Sequence, residues 1–350
     1  MTTPEETLVN AEKLRDLALH AFLKVGVPEG AARIAADMLV HTDLRGIESH
    51  GVAHLASFYV GGIRRGAINP RPDIKVVRES ASTAVIDGDR GLGFVVGHRA
   101  MNQALRRAEA TGAGFVTVRN STHCGAGFNY AIMAPPQDMV GIAMTTGGPV
   151  MAPPGGAGRA IGVNVISVAA PSSGAPFLLD MATSVVAVGK LEVAASRGQS
   201  IPEGWAIDSA GSPTTDPIGF FRGGAMLPLG GTPTLGSYKG FGLAVAIDIL
   251  CGVLSGSGFS AELEGTFSHA FGALRIDAFL PADEFRALMD RMASRLKATP
   301  RLSGVDDIRL AGEVEHELEQ RRRVEGIPLH PQVIDSLRTM CQELGIEFDI

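Results

Sequence analysis

Apolar residues recur at helical spacing near the start of the chain. Leu14, Leu17, Ala18, Ala21 and Val25 line one helix face, and PEGAARIAADMLVHTDLRG continues the pattern, so residues 4 to 43 are expected to be helical. Pro28 followed by Glu29 makes a good first turn for the second part of it. SHGVAHLASFYVGGIRRG predicts a third helix, broken at Gly61-Gly62 and ended by INP. Near residue 74 the period changes. IKVVRES, STAVIDGD, GAGFVTVRNS, MVGIAMTTG, GVNVISVAAP and APFLLDMATS are short, apolar and β-branched, with turn residues between them, and predict six strands. One helix, VVGHRAMNQALRRAEATG, lies among them. A loop-rich segment with five prolines runs from Gly198 to Ser237. Helices are then expected at 239–256, 282–298 and in HPQVIDSLRTMCQELG, with a strand in HAFGALRIDAF. The pattern predicts helices at both ends around a mixed α/β body. The two helical ends should pack together, since each alone is too small a core.

Composition changes the picture in three ways. Of the 350 residues 45% are apolar and 19% charged, which suits a large packed core and excludes disorder. The net charge of -6 argues against a nucleic-acid binder. No apolar run reaches the ~20 residues of a membrane span, and the N-terminus has no basic and apolar leader pattern. Cys124, Cys251 and Cys341 have no metal-like spacing and cannot all pair, so a reducing cytoplasm is the expected setting. The 44 glycines are spread through ordered-looking sequence, which suggests backbone wrapped closely around a ligand.

Several stretches could carry chemistry. Gly91-x-Gly93 stands between a strand and a helix, as in a dinucleotide fingerprint. The third glycine, Gly97, falls one residue late, and the next strand ends in Arg119-Asn120 where a ribose-binding acid should stand. A glycine turn capping a helix is the better reading. Asn120, Ser121 and His123 end a strand and face a ligand crevice, followed by Gly125. Asp180 closes an apolar strand, and Met181 to Ser184 are expected to enter a helix with amides suited to anionic groups. Lys239 begins another helix, where a cation opposes the dipole unless it shares a phosphate. Together these describe an extended anionic ligand. His50 and His54, four apart, are expected on one helix face. A zinc motif would need Glu where Gly51 stands, so acid/base work is favoured. A metal-dependent hydrolase using His50, His54 and a distant third ligand is the alternative. Ser49 beside His50 lacks a nucleophile elbow, and neighbours on a helix diverge by ~100°.

DLRGIESHGVAHL, GAINP, VIDGDRGLG, VRNSTHCGAG, LLDMATS, GWAIDSAGSPTTDP, LPLGG, SYKGFGLAVAIDILCGVLSG and AGEVE occur in order over nearly the whole chain. With these motifs the chain resembles the type-2 malate/L-lactate dehydrogenase family, which includes ureidoglycolate, sulfolactate and diketogulonate enzymes and cyclic-imine reductases. The resemblance implies an NAD(P)-dependent oxidoreductase with a non-Rossmann cofactor fold, an α/β (α+β) body with a mixed sheet, and a homodimer. It divides the chain into a helical domain (1–73 with 299–350), a central α/β domain (74–120 with 239–298) and a cofactor-binding segment (121–238). It implies hydride exchange with a small 2-hydroxy or 2-oxo acid, or alternatively reduction of a cyclic imine 2-carboxylate. His50 then looks like the proton donor/acceptor, with Ser49 beside it; His123 has that role in some members. Asn120, Ser121, His123, Gly125, Thr146, Asp180 to Thr183, Lys239, Gly240, Gly312 and Glu313 look like cofactor contacts, and Arg45 and His54 like substrate contacts. The sequence selects neither NAD nor NADP. Two departures stand out. The family's SHGVxR arginine is His54 here, and its GTNP is Gly162-Val163-Asn164-Val165.

Overall fold

The computed structural model describes residues 6–350. All six strands expected between residues 74 and 184 form, and they join one seven-stranded sheet. Its order is Lys75–Glu79, Thr83–Asp87, Ala113–Ser121, Phe267–Arg275, Met139–Thr146, Val165–Ala170, Phe177–Met181. One pair is parallel, Thr83–Asp87 with Ala113–Ser121, joined through the helix Gly93–Thr111; the others are antiparallel. This mixed sheet is not a doubly wound dinucleotide fold. Strands on both sides of residue 121 share it, with the late strand Phe267–Arg275 between them. That strand is buried almost throughout because both faces of the sheet are covered.

One face packs on Gly93–Thr111 and, beyond it, on the helices Ala11–Lys24, Glu29–Leu44 and Pro331–Leu344. Leu14, Phe22 and Leu39 share a core with Ile334, Leu337 and Met340, so the two ends of the chain do pack together. A strand pair ties them, Thr7–Val9 antiparallel to Ile327–Leu329, where the sequence pattern suggested helix from residue 4; residues 4 and 5 lie outside the described residues. The other face carries Ser237–Asp248 through Met144, Ile247, Cys251 and Ala270. The proline-rich segment is more ordered than its composition suggests. Ala206–Ile207, Pro213–Thr214 and Ala225–Met226 form a small sheet, which with the helices Val188–Ser196 and Pro217–Phe221 closes over its own core around Met151, Leu191, Phe220 and Met226. Among the described residues no helix is long and apolar enough to cross a membrane.

Candidate functional site

The helix Glu29–Leu44 stops at Arg45 and Gly46, whose φ of +77° favours glycine. The chain beyond Gly46 does not form the single helix expected. Glu48–His50 and Val52–His54 are two short 3₁₀ turns separated by Gly51 at φ -92°, ψ -148°, and a π-helical turn, Leu55–Val60, leads into Gly61–Arg64. Gly61 and Gly62 do not break the chain here, since Gly61 stays in the right-handed helical region. The cause of the break lies earlier. The buried Asp43 carboxylate reaches into the space beside Gly51 and accepts a hydrogen bond from Val52 N–H at 2.8 Å. A Cβ on Gly51 would lie 1.9 Å from Asp43 Oδ1. His50 and His54 therefore do not share a helix face, yet the turns still bring their ring centroids within 6.2 Å. Within the first turn Ser49 Oγ lies 2.9 Å from His50 Nδ1.

His123 arrives from the end of the Ala113–Ser121 strand and stacks on His50 at 5.5 Å with 28° between planes. Its Nδ1 accepts from Gly125 N–H at 3.2 Å and lies 2.7 Å from Tyr59 Oη. Behind it, buried His269 donates from Nε2 to Thr122 O at 3.2 Å and meets Thr145 Oγ1 at 2.8 Å. Burial lowers the pKa of His50 to about 4, with the charge of His54 adding to it. Burial also lowers His54, opposed by the carboxylate of Glu192, and lowers His123 well below the usual imidazole value.

The three rings open on a cavity of about 400 Å³ between this segment and the small lobe. Asp180, Met181 and Ala182 form one wall, and Gly189 and Glu192 another. Burial raises the pKa of Asp180, although Ser167 Oγ–H and Phe128 N–H both donate to its carboxylate. None of the residues lining this cavity is Lys or Arg. A second cavity of about 260 Å³ shares Ile47, Asp180 and Glu315 with the first and continues past Arg45 and Gly312.

Ser49, His50, His54, His123, Gly125, Asp180, Met181 and Ala182 are thus brought together. Other expected site residues lie elsewhere. Arg45 is buried, bonded to Glu319 Oε2 at 2.9 Å and Gly312 O at 3.3 Å, and faces the second cavity rather than the histidines. Asn120, at φ +52°, binds Asp87, and Ser121 is wholly buried. Thr146 lies in a buried cluster with Asn164, Asp248 and Ser260, and Thr183 bonds Val163 O. These two bond residues of the 162–165 loop. The amides after Met181 do not enter a helix at once, since the helix begins at Val188. Lys239 does start a helix but is exposed and lines neither cavity, while Gly240 packs on Leu229. Gly312 lines the second cavity; Glu313 is turned to Lys297 at 2.6 Å. The reading of Gly91-x-Gly93 as a helix turn holds: Thr122 Oγ1 accepts from Gly93 N–H at 3.1 Å, and a Cβ on Gly93 would meet Thr122 O at 2.3 Å. Among the described residues no three His, Cys, Asp or Glu side chains are placed to hold an ion, so the hydrolase alternative finds no ligand set.

Glu192, Glu315 and Tyr59 were missed from the sequence. Val188, Leu191 and Ala194 recur at helical spacing and could have placed Glu192 on a helix. The helix Glu313–Glu325 carries Glu315 and is polar nearly all round, so it left no apolar stripe to read.

Comparison with known proteins agrees with this geometry. The malate/L-lactate dehydrogenase family pattern matches residues 9–338. A malate dehydrogenase of Pyrococcus abyssi is 44% identical over 343 residues, covering 96% of this chain and 94% of that protein. An L-sulfolactate dehydrogenase of Methanocaldococcus jannaschii is 37% identical, covering 98% of each. The solved malate dehydrogenase of Pyrococcus horikoshii superimposes with a TM-score of 0.91 at 42% identity, covering 98% of this chain and 97% of that one. The mixed sheet, the convergent histidines and these similarities over the full length lead to one conclusion: the chain belongs to the malate/L-lactate dehydrogenase family, whose dehydrogenases are oxidoreductases that use a nicotinamide cofactor.

Proposed function

We propose that the protein interconverts a small 2-hydroxy acid and its 2-oxo acid with NAD or NADP, using His50 as the proton donor and acceptor. The observation that carries this is the convergence of His50, His54 and His123 on one cavity walled by Asp180 to Ala182. The residues present fit the cofactor. Val163, Val165, Met181 and Ala182 offer apolar surface to a flat ring, and the cleft continues into the second cavity. Arg45 and Arg309 line that cavity, which suits an anionic group such as a phosphate. When bound, the nicotinamide takes up or supplies the hydride.

The chain's own groups do the rest. With a pKa of about 4, His50 is neutral near pH 7 and ready to take the hydroxyl proton during oxidation. Proton transfer by a positioned imidazole contributes ~10²–10⁴ in rate. The bound carboxylate finds no permanent cation in the histidine cavity, so His54, Ser49 and backbone N–H groups hold it. That arrangement favours lactate-like acids over dicarboxylates, although the Pyrococcus abyssi relative is named a malate dehydrogenase. The active unit is proposed to be a homodimer, supported by an uncovered apolar stripe on 237–254: Tyr238, Ile249, Val253 and Leu254 are 60%, 50%, 54% and 55% exposed. The test is steady-state turnover of 2-oxo and 2-hydroxy acids and of a cyclic imine 2-carboxylate with each cofactor. Turnover of lactate-like acids supports the reading. Turnover of the imine alone moves the substrate class, and binding without turnover of any removes the activity.

A further inference from the structure

Two donors converge on one nitrogen of His123. Gly125 N–H can only donate, and it points at Nδ1 from 3.2 Å. Nδ1 must therefore present its lone pair, and the Tyr59 hydroxyl at 2.7 Å must donate as well. The single proton of the neutral ring then sits on Nε2, which has no hydrogen-bond partner among the described residues, and the residue lines the cavity. Protonating Nδ1 would set its N–H against an amide that cannot turn round. His50 is held differently. Its Nδ1 meets the hydroxyl of Ser49 at 2.9 Å, and a hydroxyl donates to a neutral ring or accepts from a charged one by rotating. The surroundings of His123 reinforce the contrast. His50 and His54 face it from the turns, Phe58 and Tyr59 from the π-helical turn, and Phe267 from the central strand with His269 beyond, and no carboxylate is among them.

We propose that Tyr59 is a positioning residue that locks His123 as a neutral, permanent Nε2–H donor to the substrate oxygen, so that His50 alone moves the proton. The proposal rests on the dehydrogenase reading above. In oxidation the C–H hydrogen leaves the substrate with its bonding pair for the nicotinamide, and the O–H proton passes to Nε2 of His50. The oxygen becomes a carbonyl, still bonded to Nε2–H of His123, which gains and loses nothing. A preorganised neutral donor of this kind typically contributes ~10²–10³ in turnover.

Three measurements test it. In ligand-free protein labelled with ¹⁵N histidine, His123 should stay in the single Nε2–H form from pH 5 to 9. Because this needs no substrate, it separates failure of the tautomer from failure of the dehydrogenase reading. Second, His123→Gln keeps a side-chain N–H donor but cannot carry a proton, and it should retain at least ~10-fold more kcat than His123→Ala. Third, Tyr59→Phe should lower kcat by about 10-fold or more with KM less affected, and its His123 signals should show mixed tautomers. A His123 that protonates in this range, a folded Tyr59→Phe with wild-type kcat and a single Nε2–H form, or a folded His123→Gln as inactive as His123→Ala, would overturn the proposal. If Tyr59→Phe does not fold, the wild-type spectra and the glutamine variant still decide it.

Discussion

Gly51→Ala should damage this protein far more than one methyl group suggests. The added Cβ would stand 1.9 Å from Oδ1, 2.2 Å from Cγ and 2.4 Å from Oδ2 of Asp43. Ordinary contact begins near 3.4 Å, so the carboxylate must retreat by about 1.5 Å, the difference between 3.4 and 1.9 Å. That breaks its 2.8 Å bond to Val52 N–H, and both groups are buried. An unsatisfied buried donor costs ~1–3 kcal/mol, and overpacking adds ~1–3 kcal/mol. The sum, roughly 2–6 kcal/mol, is a large part of a typical total stability of ~5–15 kcal/mol. Over 350 residues that should lower the melting temperature by roughly 3–8 °C. Activity should fall further than unfolding alone explains, because His50 and His54 flank the distorted residue. The assay is a thermal melt of wild type, Gly51→Ala, Asp43→Ala and the double variant. Removing the Asp43 side chain makes room for the methyl, so the double variant should lose less than the sum of the singles. A Gly51→Ala protein that melts within about 2 °C of wild type would refute the reasoning, since over 350 residues that shift corresponds to only ~1.5 kcal/mol or less.

The same structure sets other outcomes. Glu319→Gln leaves the buried charge of Arg45 without its carboxylate and should cost ~3–5 kcal/mol in urea denaturation. Burial would raise the Glu319 pKa, but bonds to His41, Arg323 and Arg45 outweigh it and hold the carboxyl well below the usual range. Its stabilisation is therefore present above the unfolded value near ~4.3 and lost as pH falls below it, a loss the variant should lack. Asp43 behaves oppositely, with burial raising its pKa to about 8. The stability it contributes is fully present below the unfolded value near ~3.9 and is lost progressively as pH rises to about 8, so Asp43→Asn should gain on wild type across that range and then level off in melts. His54→Arg adds a fixed charge to a cavity that lacks one. It should lower KM for small 2-oxo acids by ~10- to 100-fold, worth ~1.5–3 kcal/mol, at pH 6 as well as at pH 8, because burial already holds His54 below the usual imidazole value. KM values unchanged from wild type at both pH values would place position 54 away from the carboxylate.

The strands were legible in the sequence because alternation and turn residues are local, and MVGIAMTTG or APFLLDMATS needs no distant partner to be read. Their order was not legible, because inserting Phe267–Arg275 between strands ending at Ser121 and beginning at Met139 is a long-range choice. The site divides in the same way. His50, His54 and His123 stand in recognisable motifs, and all three reach the cavity. Their geometry was misjudged because helical spacing cannot reveal that Asp43, eight residues before Gly51, occupies the space beside it. Thr146 and Asn120 look like polar ligand contacts in one dimension. In three each bonds a carboxylate of the protein, Thr146 that of Asp248 from 102 residues away and Asn120 that of Asp87 from 33. Arg45 reads as a substrate anchor beside the histidines, but Glu319 from the C-terminal region takes its guanidinium.

The central claim is that His50 moves a proton in a nicotinamide-dependent reaction. Its most direct test is His50→Ala, measured by fluorescence titration with NADH and NADPH alongside turnover of a lactate-like acid. Cofactor affinity should stay within about threefold of wild type while kcat falls by ~10²-fold or more, the usual contribution of a positioned acid/base. Near-normal kcat with intact cofactor binding would contradict the account and pass the proton to another group.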